Sequence, residues 1–207
     1  GAWWWESGLS VPPGEWSHVA MVVEPDGITL YFNGIGSKHN FNVPPAAFSS
    51  GSRLGNYHGW GDRYMKGDLD EVCIYDRSLT QAEIREKMHL RKIPADETAM
   101  LAYYQFNELG GSAAYDRSSV AHGSLVGSAQ RIPSTVALGP GASARNFAQS
   151  PGATEFPGTG LTMKFGDFTP IPTSEICVTR INLLPDATPA GDTVSRSYWV
   201  ARHFNPD

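Results

Sequence analysis

One stretch of the chain, GDLDEVCIYD, carries four carboxylates at a spacing that suits acid and base chemistry: Asp68, Asp70, Glu71 and Asp76. Two carboxylates on one face of a strand can serve as acid and nucleophile in glycoside hydrolysis, and Asp68 and Asp70 would share a face. However, the glutamate that should precede them in the pattern E-x-D-x-x-E is absent. We therefore predict no glycosidase activity and expect Asp70 to accept hydrogen bonds from loop backbone.

An aromatic loop just before this stretch is the best candidate for ligand binding. Four rings, those of Tyr57, His58, Trp60 and Tyr64, fall among glycines. Sugars pack their apolar C–H faces against aromatic rings while amides and hydroxyls bind their hydroxyl groups. We predict that Asn56, Tyr57 and Trp60 bind a ligand. The alternative is that Trp60 caps the end of a β-sandwich.

Other kinds of catalytic or binding site find little support in the sequence. The chain lacks a G-x-S-x-G elbow, an H-E-x-x-H pair and a glycine-rich phosphate loop, and its six histidines are dispersed. Structural roles are expected for the histidines, and no enzyme is predicted. With Lys+Arg 16 against Asp+Glu 21 and the basic residues scattered, nucleic acid is not an expected partner. No apolar run is long enough to span a bilayer.

The elements that must position these residues are mainly strands. Short runs rich in β-branched and aromatic residues, separated by glycine and proline, predict an all-β chain. WSHVAMVVE and ITLYFNG predict a hairpin with Ile28, Leu30 and Phe32 on one face. Thr80 and Glu83 form a capping-box pattern, which predicts one short surface helix. If AWWWESG is a strand, Trp3 and Trp5 share a face that we expect to be core.

Three motifs in succession resemble the second half of a laminin-G-like, concanavalin-A-like jelly roll. They are PGEWSHVAMVVEPDGITLYFNG, then SRLGNY, then MKGDLDEVCIYDRSLTQAEI. The resemblance covers roughly residues 1–93, and the motifs occur in the family's order and spacing. The N-terminal strands of the jelly roll have no counterpart, so the chain is expected to begin within it.

The rest of the chain extends the resemblance to modular surface proteins of the Bacteroidota. LAYYQFNELGGSAAYDRSSVAHGSLVGSA is similar to a segment that closes the jelly roll or opens the next repeat, and closure is favoured. We predict a laminin-G-like unit at residues 1–131, a linker at residues 132–144 and a partial second β-sandwich module with three strands at residues 145–207. The resemblance implies type IX export and a secreted or cell-surface location.

The resemblance also implies a metal and a role. Related jelly rolls often hold calcium near a rim, and carboxylate oxygens suit that ion, so Asp70 and Asp116 are its predicted ligands. The predicted function is non-catalytic surface adhesion, with carbohydrate, a cell-surface protein or other domains of the same large protein as partners. The alternatives are a structural spacer without a ligand and an accessory binding domain of a secreted polysaccharide-degrading enzyme.

Overall fold

The computed structural model describes residues 5–42, 51–57, 63–119, 121–148, 151–166, 174–184 and 195–205. In this part of the chain the fold is all-β with one α-helix, as predicted. The strands of the first half are β1 (Val19–Glu24), β2 (Gly27–Phe32), β3 (Ile35–Asn40), β4 (Val72–Tyr75), β5 (Met100–Tyr104), β6 (Ala113–Ala114) and β7 (Gly123–Ser124). The strands of the second half are β8 (Gly141–Phe147), β9 (Gly152–Phe156), β10 (Leu161–Phe165), β11 (Glu175–Ile181) and β12 (Tyr198–Phe204). Helix α1 (Gln81–Lys87) and a 3-10 turn (Pro94–Asp96) lie between β4 and β5.

The first sheet is an antiparallel meander in the order β1, β2, β3. The predicted β1–β2 hairpin is confirmed, and its loop is the two residues Pro25 and Asp26 because Glu24 pairs with Gly27. Side chains alternate along a strand, so Ile28, Leu30 and Phe32 do share a face. Strand β3 was not predicted.

The run of tryptophans lies mostly outside the described residues, because the description begins at Trp5. Trp5 is half-buried and lies outside any strand. Its ring stacks on the imidazole of His39 in β3, with ring centroids 4.9 Å apart. Trp5 therefore packs against the first sheet.

The middle of the chain forms two small antiparallel pairs, β4 with β5 and β6 with β7. Val72 pairs with Tyr104, and an isolated bridge joins Tyr104 to Asp116. Tyr103, which pairs with Cys73 in the same ladder, is fully buried. The bridge ties the turn that carries Asp116 to this ladder.

The second half has five strands, whereas three were predicted. Strands β12, β11 and β8 form one antiparallel sheet, and β9 and β10 form a hairpin. Strand β8 begins at Gly141, so the predicted boundary between residues 144 and 145 falls inside a strand. The stretch before it also contacts the helix end, since the Arg91 amide donates to the Gly139 carbonyl at 2.9 Å. The division into two units stays a prediction.

The helix packs on one face of the β12-β11-β8 sheet. Its predicted capping box is confirmed, because the Thr80 hydroxyl accepts from the Glu83 amide and the Glu83 carboxylate accepts from the Thr80 amide. Ile84 is buried, and the thiol of Cys177 in β11 donates to the Arg85 carbonyl at 3.3 Å. Helix and sheet therefore share one core.

The opposite face of this sheet meets the β9–β10 hairpin. The indole Nε1 of Trp199 in β12 donates to the carbonyl oxygen of Thr159, in the turn of that hairpin, at 2.9 Å. Phe156 and Val178 are both buried. The β12-β11-β8 sheet thus lies between α1 and the hairpin.

Candidate functional site

The predicted ligand-binding residues lie on a short antiparallel ladder formed by residues 55–57 and 63–65, which we call the aromatic ladder. The Tyr57 amide donates to the Arg63 carbonyl at 3.1 Å, and the Met65 amide donates to the Gly55 carbonyl at 2.8 Å. These two bonds flank a bridge between Asn56 and Tyr64. Trp60 belongs to residues 58–62, which connect the two arms and lie outside the described residues.

The ladder places its side chains on two different faces. Residues directly opposite each other share a face, and consecutive residues point to opposite faces. Asn56 therefore shares a face with Tyr64, and Tyr57 shares the other face with Arg63, whose guanidinium carbon lies 5.5 Å from the centroid of the Tyr57 ring. The predicted pair Asn56 and Tyr57 is thus divided between the two faces.

Both tyrosines of the aromatic ladder are open to solvent. Tyr57 is 54% exposed and Tyr64 is 63% exposed. Asn56 is half-buried at a non-hydrogen-bonded position of the ladder, where opposing side chains approach each other most closely. An amide can bind the hydroxyl groups of a sugar while an accessible ring packs against its apolar face. Tyr64 is not among the predicted site residues, although two tyrosines on either side of a glycine-containing loop are typical of a hairpin.

Asp116 is buried, and its carboxylate is already occupied by protein donors. Its Oδ1 accepts from the amides of Tyr103 and Ser118, both at 2.9 Å, and from the Ser118 hydroxyl at 2.8 Å. Its Oδ2 accepts from the Ser119 hydroxyl. Burial acts to raise the pKa of Asp116, but the hydrogen bonds from Ser119, Tyr103 and Ser118 outweigh it and hold the pKa well below its usual range. Asp116 therefore ties its own turn to β5.

Asp68 and Asp70 lie in the segment before β4 and are not part of the strand, because β4 begins at Val72. The expected strand face that would carry both carboxylates therefore does not form. Glu71, between Asp70 and the strand, has a left-handed backbone with φ 54° and accepts from the hydroxyl of Tyr103. Burial raises the pKa of Glu71, and the Tyr103 hydrogen bond opposes this. The carboxylate of Glu71 thus joins β4 to β5.

Calcium at Asp70 and Asp116 stays a prediction, and the arrangement of donors does not favour it. Calcium takes six to eight oxygen ligands, whereas both oxygens of Asp116 already accept hydrogen bonds. Among the described residues, no three His, Cys, Asp or Glu side chains cluster as a metal site. Thermal unfolding with and without added calcium tests the prediction, and an unchanged Tm would count against it. A rise in Tm that disappears in Asp70→Asn would show that the ion binds there.

Comparisons with known proteins find similarity over part of the chain. The family model described as the concanavalin A-like lectin/glucanases superfamily, a laminin-G type domain, matches residues 2–85. A solved S-layer domain-containing protein from Clostridium thermocellum aligns with 38% of this chain and 42% of that chain, at 31% identity and a TM-score of 0.35. The chain thus spans less than half of that structure. No curated protein matches the chain. Residues 2–85 are therefore similar to a concanavalin A-like lectin/glucanase domain within an all-β chain.

Proposed function

We propose that this chain is a non-catalytic adhesion module of a larger secreted or cell-surface protein, and that it binds carbohydrate through the aromatic ladder. The observation that carries the proposal is the exposed Tyr64 ring opposite the half-buried Asn56. The match of residues 2–85 to a family named for lectins and glucanases supports this class of ligand.

The face that carries Asn56 and Tyr64 meets the chemical needs of a sugar. A pyranose ring stacked on Tyr64 would bring its hydroxyl groups near the Asn56 amide, which can both donate and accept. On the other face, the guanidinium of Arg63 lies over the Tyr57 ring. That contact restricts the approach of a ligand to Tyr57, so the Tyr64 face is the one assigned to the sugar. Trp60 is retained from the sequence prediction as a further aromatic residue of the site.

The first test is glycan binding by the wild-type chain and by Tyr64→Ala. Loss of one stacking contact is worth about 1 kcal/mol, so we expect affinity to fall about fivefold to tenfold. Asn56→Ala and Trp60→Ala should weaken binding in the same assay. The readout is a glycan array followed by calorimetric titration of the glycans that bind.

The matched control is Tyr57→Ala, because it removes another solvent-exposed ring from the opposite face of the same ladder. We expect it to change affinity less than twofold. Equal losses in Tyr57→Ala and Tyr64→Ala would contradict the assignment to one face. Absence of binding to every glycan would contradict the function and favour a spacer. A catalytic domain in the same parent protein would favour an accessory role in polysaccharide degradation.

A further inference from the structure

Two histidines and two cationic side chains meet where the end of α1, strand β12 and the start of β1 come together. They are His18, His89, Lys92 and Arg202, and we call them the basic cluster. His18 directly precedes β1, His89 and Lys92 follow α1, and Arg202 lies in β12. His89 and Arg202 are 113 positions apart in sequence, so the basic cluster joins distant parts of the chain.

The hydrogen bonds of His89 require a neutral ring. The Arg202 Nε, which can only donate, lies 3.0 Å from the His89 Nε2, so this nitrogen must accept. The other ring nitrogen, Nδ1, then carries the proton and donates to the Ala137 carbonyl at 2.9 Å. The His89 carbonyl also accepts from the Gly139 amide at 3.3 Å. One residue thus holds β12 and the stretch before β8 against the end of the helix.

His18 is a second imidazole in the same region, directly before β1. Its Nδ1 is buried and has no hydrogen-bond partner. Burial, followed by the charge of Lys92 and the proximity of His89 and Arg202, lowers the pKa of His18 to about 4. Burial likewise lowers the pKa of His89, with Arg202 and Lys92 adding to the effect and the Ala137 hydrogen bond opposing it.

The charged surroundings of both rings are cationic. Within the part of the chain that the structure describes, the charged groups acting on the two imidazoles are Lys92 and Arg202, and no carboxylate acts on either ring. Glu71 interacts with Lys92, where it partly offsets that charge. A proton added to either ring therefore meets repulsion that no acidic group relieves.

We propose that the basic cluster is an acid-sensitive latch that holds β12 and the stretch before β8 against the end of α1 at neutral pH and releases them in mild acid. Protonation of His89 at Nε2 removes the acceptor for Arg202 and places two cations 3.0 Å apart. Protonation of His18 adds a further positive charge near Lys92. The expected response is the opening of β12 and of the contacts at Ala137 and Gly139.

The direction of the pH effect follows from the lowered pKa values. A histidine that is neutral in the folded state and charged in the unfolded state contributes its full stability above its ordinary pKa of about 6.5. That contribution falls as the pH drops, and for His18 the loss ends near pH 4. Acid release is therefore expected between about pH 6.5 and pH 4.

Hydrogen exchange of the β12 amides at several pH values between 7 and 5 tests the latch. After correction for intrinsic exchange, we expect protection factors in β12 to fall by up to tenfold per pH unit for each histidine that titrates. His89→Gln keeps a donor and an acceptor but takes up no proton. The fall in the β12 protection factors should therefore be smaller in this variant, by up to a factor of ten for each pH unit. His203→Gln is the control, because residue 203 points to the opposite face of β12 from Arg202 and should leave the slope unchanged.

Two results would overturn the latch. One is a pH dependence in His89→Gln equal to that of the wild type. The other comes from the unaltered chain, in which imidazole NMR resonances report each ring directly: a His89 ring that titrates at or above its ordinary pKa of about 6.5 would show that the folded state does not resist its protonation. This second measurement applies even if the variant does not fold.

Discussion

Arg85→Ala is expected to lower the free energy of unfolding by about 3 kcal/mol, because it leaves buried polar groups without a partner. Arg85 is only 7% exposed. Its Nε donates to the Gly34 carbonyl at 3.0 Å, and its Nη1 pairs with Glu175 at 3.4 Å. Its guanidinium carbon also lies 4.0 Å from the centroid of the Phe204 ring. Urea denaturation measures the loss.

The effect should be large because Arg85 connects three elements that are distant in sequence. Gly34 belongs to the turn between β2 and β3, and Arg85 belongs to α1. Glu175 and Phe204 belong to the β12-β11-β8 sheet. Glu175 keeps a second partner, Arg145, at 2.8 Å, which places the expected loss at the lower end of the range for a broken buried pair.

Arg77→Ala is the matched control for Arg85→Ala. Arg77 pairs with Glu83 at 2.6 Å, but both side chains are 29% exposed. Such a pair near the surface contributes about 1 kcal/mol or less. Similar losses of unfolding free energy in the two variants would contradict the view that Arg85 links the first sheet to the β12-β11-β8 sheet.

The features that the sequence predicted correctly depend on nearby residues. The β1–β2 hairpin needs only two alternating runs and a tight turn, and the helix start needs only Thr80 and Glu83 three positions apart. In both cases the residues that determine the element are its own neighbours in sequence. Local pattern was therefore sufficient to predict these elements and the faces of β2.

The strands that were missed have weak strand preference of their own. Strand β3, IGSKHN, and strand β8, GASARNF, contain few of the β-branched and aromatic residues that mark a strand. Strand β3 forms because it pairs with its neighbour β2, and β8 forms because it pairs with β11, which follows β9 and β10 along the chain. Tertiary pairing overrides weak local preference in both.

In the candidate site too, some features follow from local sequence and others from contacts between separate segments. Composition was enough to select the aromatic loop, but only the pairing of Asn56 with Tyr64 shows which side chains share a face. For Asp116, the donors on Ser118 and Ser119 are near neighbours in sequence, but the Tyr103 amide is thirteen positions away along the chain. Sequence spacing alone does not reveal that this carboxylate also binds the backbone of β5.

Gly141→Ala is expected to lower the free energy of unfolding by about 3 kcal/mol, and it tests whether the end of the predicted linker is truly a strand. Gly141 is the first residue of β8 and pairs with Ile181 of β11. An added Cβ would overlap the carbonyl oxygen of Arg180, which is backbone and cannot rotate away. Relief requires a shift of the β8–β11 ladder, and overpacking of this kind typically costs about 1–3 kcal/mol or more.

Gly110→Ala provides the control for Gly141→Ala, since no atom lies within 4 Å of a Cβ built at that position. We expect a change within about 0.5 kcal/mol there. Urea denaturation of both variants gives the comparison. If Gly141→Ala is as well tolerated as Gly110→Ala, residues 132–144 behave as the flexible linker that the composition predicts. If it is strongly destabilising, Gly141 is held in the sheet that packs on α1, and the two halves of the chain are connected by structure rather than by a free tether.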